Sequence, residues 1–241
     1  MVLMVVITGN KSSALPRHQN NLEDKLPPLI NYSLPSFLVN LPLATEDNYF
    51  EEITPHQVGY LIWRDFPVKV YLESPAPDLP VSSLQAFQRW QKAGRRALDL
   101  WNKYVPLQEI NNAEEADIII YRQAPLPQGK ITRNPETGLL NLPRIAAATT
   151  TIKFYLRDNH LHHRMIIHVS PHQADDYLVS NISHEMGHAL GIWGHSPNPD
   201  DIMYYAHTAN IPTISPRDLN TLRKIYHQST RLGGKIMNYE L

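Results

Sequence analysis

The chain has 241 residues, 42% of them hydrophobic and 19% charged, with a formal net charge of -1, no cysteine, 12 histidines, and 20 prolines against 10 glycines. That length can bury a full-sized core, and near-neutral charge gives no electrostatic case for a nucleic-acid or anionic-membrane partner. The missing cysteines exclude disulfides, thiolate zinc sites, iron–sulfur clusters and a cysteine nucleophile, so a bound metal must rely on histidine and carboxylate.

Along the chain, no apolar run approaches the roughly 20 residues of a membrane-spanning helix, so no transmembrane segment is expected. Met1–Ile7 (MVLMVVI) is apolar but short and lacks a basic flank. It is an ordinary start or the remnant of a signal h-region. From Thr8 to about Pro55 the chain is rich in Pro, Asn and Ser. Residues 1–58 therefore form a mostly irregular N-terminal extension, a signal remnant or pro-segment without a core of its own. Residues 59–232 form the domain, and 233–241 a C-terminal tail. Val68, Val70 and Leu72 alternate with Lys69, Tyr71 and Glu73, the pattern of a half-buried strand. Ser82 or Ser83 then caps a helix whose Phe87, Trp90, Gly94, Ala97, Leu98 and Trp101 share one face. Val105–Ile110 and Asp117–Tyr121 are two further strands, the second fully buried. A Pro/Gly-rich connection (Pro125 to Pro143) leads to Thr149–Leu156, which alternates cleanly, and Met165–Val169 is another buried strand. Asp175 and Asp176 open a second helix at the end where carboxylates complement the dipole. A last helix starts at Ser215-Pro216, with Asp218 placed for a capping box. The whole predicts an α+β domain, a twisted mixed sheet of about five strands with three helices.

The second helix carries His184-Glu185-Met186-Gly187-His188. Residues four apart share a helix face, so both imidazoles can reach one metal ion. Glu185 stands close enough to touch a metal-activated water without joining the ligands. Gly191 can end the helix in a left-handed conformation and turn the chain so that His195 arrives as a third nitrogen ligand. Three imidazoles leave an open zinc position, as catalytic sites require. At this composition H-E-x-x-H arises by chance in roughly 3% of such chains, but adding Gly191 and His195 lowers this to roughly 5 in 100,000. The spacing is a metal site. His160, His162, His163, His168 and His172 form a looser group, better explained by solvated strand ends than by a second metal, since only Asp158 stands at ligand spacing. Ser170 and Ser183 have no base placed by any pattern, so a serine nucleophile is not supported.

His184–His195 (HEMGHALGIWGH) resembles the elongated zinc signature of metzincin metallopeptidases. Ser196 after the third histidine, and Asp201-Ile202-Met203-Tyr204 beyond it, resemble the matrixins within that clan, as does the closing helix SPRDLNTLRKIY. The resemblance spans roughly Gly59 to Gln228. It implies a zincin-like fold, one catalytic Zn2+ on His184, His188 and His195, and Met203 as the Met-turn methionine beneath the imidazoles. It also implies an extended protein or peptide substrate lying beside an edge strand, for which Thr149–Leu156 is the candidate. The segment from Tyr204 to Pro212 would wall the pocket. The expected activity is that of a zinc endopeptidase with Glu185 as general base and acid. The alternative is a zinc-stabilised protein-binding module that hydrolyses little; it has no need of Glu185. Matrixin-like enzymes usually work outside the cytoplasm, which makes the expected location secreted, periplasmic or otherwise extracytoplasmic. Oligomeric state is not legible.

Three departures stand out. Without cysteine, the chain cannot use the family's pro-domain thiolate to stay latent. No stretch resembles the family's structural zinc and calcium loops. Tyr205 replaces the proline expected two residues after Met203; in astacins and serralysins a tyrosine at that offset can bind zinc and swing aside, so Tyr205 is a candidate zinc-switch ligand.

Overall fold

The computed structural model describes residues 26–41, 45–127, 129, 131–141, 146–206 and 213–236. The apolar start Met1–Ile7, the pocket-wall stretch beyond residue 206 up to Pro212, and the end of the tail lie outside the described residues. In chain order the elements are a one-turn helix α1 (Ser36–Val39), β1 (Val68–Leu72), α2 (Val81–Asn102), β2 (Leu107–Ile110), β3 (Ile118–Tyr121), β4 (Thr132–Arg133) and β5 (Leu140–Asn141). They continue with β6 (Ala148–Arg157), β7 (His160–Val169), α3 (Asp175–Leu190) and α4 (Pro216–Tyr226).

The main sheet has five strands in the order β2-β1-β3-β7-β6, matching the mixed α+β sheet expected. Strands β2, β1, β3 and β7 run parallel, and β6 returns antiparallel to β7 at the sheet edge. Asp158 and Asn159 make that return, both with positive φ (52° and 61°), as a two-residue primed turn requires. The hairpin is longer than the apolar run Met165–Val169 suggests, because β7 starts at His160. Alternation through Leu161, His163 and Met165 points those side chains inward. His163 is therefore not at a solvated strand end: it is 4% exposed and stacks on Trp63 at 3.9 Å between ring centroids. Strands β4 and β5 pair as a small separate ribbon inside the Pro/Gly-rich connection, where no strand was predicted.

Helix α2 buries the expected face, Phe87, Trp90, Gly94, Ala97, Leu98 and Trp101. Its start differs from expectation. Pro80 takes the N-cap position and no side chain caps the helix, so Ser82 and Ser83 lie inside the first turn. Gly94 lets α2 lie close on β1, since a Cβ there would sit 2.9 Å from Leu72 Cδ1. Helix α4 begins as predicted: Ser215 accepts from the Asp218 amide, Asp218 answers the Ser215 amide, and Pro216 takes the first turn.

The described residues between 26 and 58 pack onto this domain. Leu38, Tyr49 and Ile53 are buried in the same hydrophobic cluster as the sheet and helices. The Tyr49 hydroxyl donates to Asp218 Oδ1 at 2.6 Å, and its amide donates to Thr221 Oγ1 at 3.0 Å.

Candidate metal and catalytic centre

Helix α3 brings the site together because its apolar side anchors it from below. Leu178, Val179, Ile182, Met186, Ala189 and Leu190 are buried, while His184 and His188, four positions apart, are only partly buried and share a face. Three indoles and phenols hold its carbonyls: Trp101 Nε1 donates to Ser183 O at 2.8 Å, Trp63 Nε1 to Ala189 O at 2.9 Å, and Tyr226 Oη to Leu190 O at 3.1 Å. The last two satisfy end-of-helix acceptors that have no intrahelical donor. Gly191 ends the helix at φ +125°, with the Ile192 amide bonded back to Gly187 O. A Cβ at Gly191 would meet Leu61 O at 2.3 Å, so both backbone shape and space demand glycine there.

The turn carries His195 back to the two helical histidines. One ligand nitrogen from each of His184, His188 and His195 lies within 4.8 Å of the other two. Among the described residues this is the one group of three or more metal-type side chains so placed. The other histidines are dispersed: His162 stacks on Tyr155, His168 on Tyr121, and His160 Nδ1 bonds to Asp158 O.

Both helical imidazoles are oriented by backbone carbonyls, His184 Nδ1 donating to Ile202 O and His188 Nδ1 to Ile192 O, each at 2.7 Å. A carbonyl can only accept, so each Nδ1 carries the proton and each Nε2 keeps its lone pair for the centre. Burial and the charges of its neighbours hold His188 well below the ordinary imidazole range, and burial lowers His195 too. Neutral imidazoles are what zinc binds. A tetrahedral ion with nitrogens at about 2.0–2.1 Å sets them about 3.4 Å apart, a small closure from the present spread. The donor set fits zinc.

Glu185, adjacent to the first histidine, is 8% exposed. Burial pushes its carboxyl up to about 7, against a hydrogen bond from Thr150 that pulls the other way. Thr150 Oγ1 lies 2.6 Å from Glu185 Oε2. Met203 is fully buried, and a Cβ on Gly187 would sit 2.2 Å from its sulfur. The glycine of the motif is thus the space the methionine fills. Asp218 Oδ2 accepts from the Ile202 amide, so α4 fixes the residue whose carbonyl orients His184.

A cleft of about 540 Å³ runs past Glu185, His188 and His195, lined by Ala148, Thr149 and Thr150 of β6 and by Thr54, Pro55 and His56. Sequence reasoning missed the last three and Thr150. His56 leans on Phe154 of β6 at 5.0 Å, and the Thr54 amide donates to Trp193 O. Nothing local marks these residues, because their role comes from contacts made far along the chain. Tyr205 is 67% exposed, its ring 4.6 Å from that of Tyr204.

No helix among the described residues is long and apolar enough to cross a membrane. No curated protein matches the chain. The family model of the matrixins, peptidase family M10, matches residues 80–227, from the start of α2 to the end of α4. That match covers more than half of the sequence and all three histidines, so the chain belongs to the matrixin family of zinc metallopeptidases.

Proposed function

We propose that the protein is a zinc endopeptidase in which His184, His188 and His195 hold one metal ion and Glu185 moves the proton. The observation that carries this reading is the buried Glu185 carboxylate beside three converging imidazole nitrogens in an open cleft. When bound, zinc supplies Lewis acidity, lowering the pKa of water and polarising a scissile carbonyl. The Nδ1 bonds to Ile202 O and Ile192 O keep the two helical imidazoles neutral and aimed. Glu185 accepts a proton from the attacking water and returns it to the departing amine, so the carboxylate ends each turnover as it began. A carboxyl raised to about 7 suits both halves of that exchange near neutral pH. Substrate adds to the free edge of β6 as an extended strand, its main chain bonded to the strand and its scissile bond at the cleft. Met203, packed against Gly187 of the zinc motif, is the Met-turn methionine of this reading, and Tyr205, exposed beside Tyr204, is its switch ligand, which would have to leave Tyr204 to reach the metal. The location that suits such an enzyme is outside the cytoplasm.

A binding module that merely keeps zinc for stability would gain nothing from burying a carboxylate, which costs solvation. Glu185→Gln separates the two readings. Peptide cleavage is expected to fall by several orders of magnitude with zinc content intact; cleavage that survives with zinc bound rules the mechanism out.

A further inference from the structure

Thr150 lies on β6, the edge strand, opposite Ile167 of β7. Its hydroxyl approaches Glu185 twice, at 2.6 Å from Oε2 and at 3.1 Å from the main-chain oxygen. A hydroxyl has one proton, and the shorter contact to the charged acceptor takes it. Among the described residues no other side chain or amide donates to this carboxylate. Glutamate has three rotatable side-chain bonds, and a nearly buried carboxylate with one donor is fixed by that donor alone. We propose that Thr150 is a positioning residue, which ties Oε2 of Glu185 to the substrate-bearing strand and leaves Oε1 to receive the proton. This rests on the reading of Glu185 as the general base.

The consequence is a division of labour within one carboxylate. Oε2 stays bonded to Thr150, which keeps its own proton throughout. Oε1 takes the proton from water and delivers it to the leaving nitrogen. Because Thr150 belongs to the strand on which the peptide lies, the base and the scissile bond share one rigid frame. A shift of β6 then moves both together.

Thr150→Val removes the hydroxyl at nearly constant shape, and Thr150→Ser keeps it. With a fluorogenic peptide, kcat of Thr150→Val is expected to fall about 10–100-fold, the usual cost of losing a bond that orients a catalytic group. KM should stay within about twofold, with zinc content unchanged, because uniform binding is untouched. Thr150→Ser should recover most of kcat. Crystals of zinc-free Thr150→Val should show the Glu185 carboxylate displaced or in several rotamers. Should valine impair folding, Thr150→Ala is read by the same criteria.

The inference is overturned if the hydroxyl-free variants keep wild-type kcat, if serine fails to restore it, or if Glu185 stays in place without the hydroxyl. Glu185→Gln, assayed in parallel, tells the two failures apart. Full activity there removes the general base itself. An inactive Glu185→Gln beside a fully active Thr150→Val removes only the role of Thr150.

Discussion

His163 makes the domain acid-sensitive in a way that can be measured apart from the active site. Its ring is enclosed between Trp63 and the core, its Nε2 has no hydrogen-bond partner among the described residues, and burial lowers its pKa from 6.5 to about 3, with the neighbouring His162 adding to the effect. An imidazole whose folded pKa lies below its unfolded one takes up a proton on unfolding. Its stabilising contribution is therefore complete above about pH 6.5 and is lost as pH falls toward 3. Between pH 7 and pH 5 the loss from this side chain alone is about 2 kcal/mol. Burial lowers His188 and His195 as well, so the wild-type slope by itself assigns nothing. His163→Phe keeps a flat ring against Trp63 and removes the titration, while leaving every other histidine in place. Urea unfolding of both proteins in chelator, at pH 7 and pH 5, isolates the term as a difference of differences. Wild type should lose about 2 kcal/mol more than the variant over that interval. Equal losses, within about 0.5 kcal/mol, would mean that His163 reaches water or a partner when protonated, and the argument from burial would fail.

Two further outcomes concern the metal site. Gly187→Ala drives a methyl into the Met203 sulfur; overpacking of this kind costs about 1–3 kcal/mol, and thermal melts should show it together with weaker zinc retention under a chelator. Tyr205→Phe should alter the absorption spectrum of the cobalt-substituted protein and change turnover; if both stay unchanged, Tyr205 has no place at the metal.

What the sequence showed and what it hid divide by range. His184, His188, Gly191 and His195 are legible because helical periodicity and one left-handed residue fix their geometry locally. The five strands are legible for a similar reason, with β7 shortened in the reading because His160, His162 and Arg164 interrupt its apolar run. The orienting contacts are not legible. Thr150 meets Glu185 across 35 positions, and Tyr49 meets Asp218 across 169. Such pairings depend on sheet register and on where an irregular segment is laid down, neither of which has a local pattern. Missing periodicity misleads in the same way: before Val58 the apolar residues are broken by Pro, Asn and Ser into patches that follow neither a helical nor a strand repeat, yet Leu38, Tyr49 and Ile53 go into the core.

Those three residues bear on whether residues 26–57 act as a removable inhibitor. The segment lines the cleft through Thr54, Pro55 and His56, but His56 stands outside the three-histidine cluster, so it borders the metal site without filling it. Its removal would expose surface now covering the core. Burying a residue such as Leu38 or Ile53 is worth about 1.5–3 kcal/mol. Losing the Tyr49 hydroxyl from the buried Asp218 carboxylate adds about 1.5–3 kcal/mol. The sum for Leu38, Ile53 and the Tyr49 hydroxyl, about 4.5–9 kcal/mol, rivals the entire stability of an ordinary domain, about 5–15 kcal/mol. A chain beginning at Val58 is therefore expected to melt far below one beginning at Leu26, and to lose peptide cleavage along with the Asp218–Ile202–His184 connection. Circular dichroism melts and a fluorogenic peptide assay on the two chains decide the matter. If the shorter chain melts near the temperature of the longer one and cleaves faster, the segment is a pro-segment after all, and its buried side chains are a docking surface rather than part of the domain.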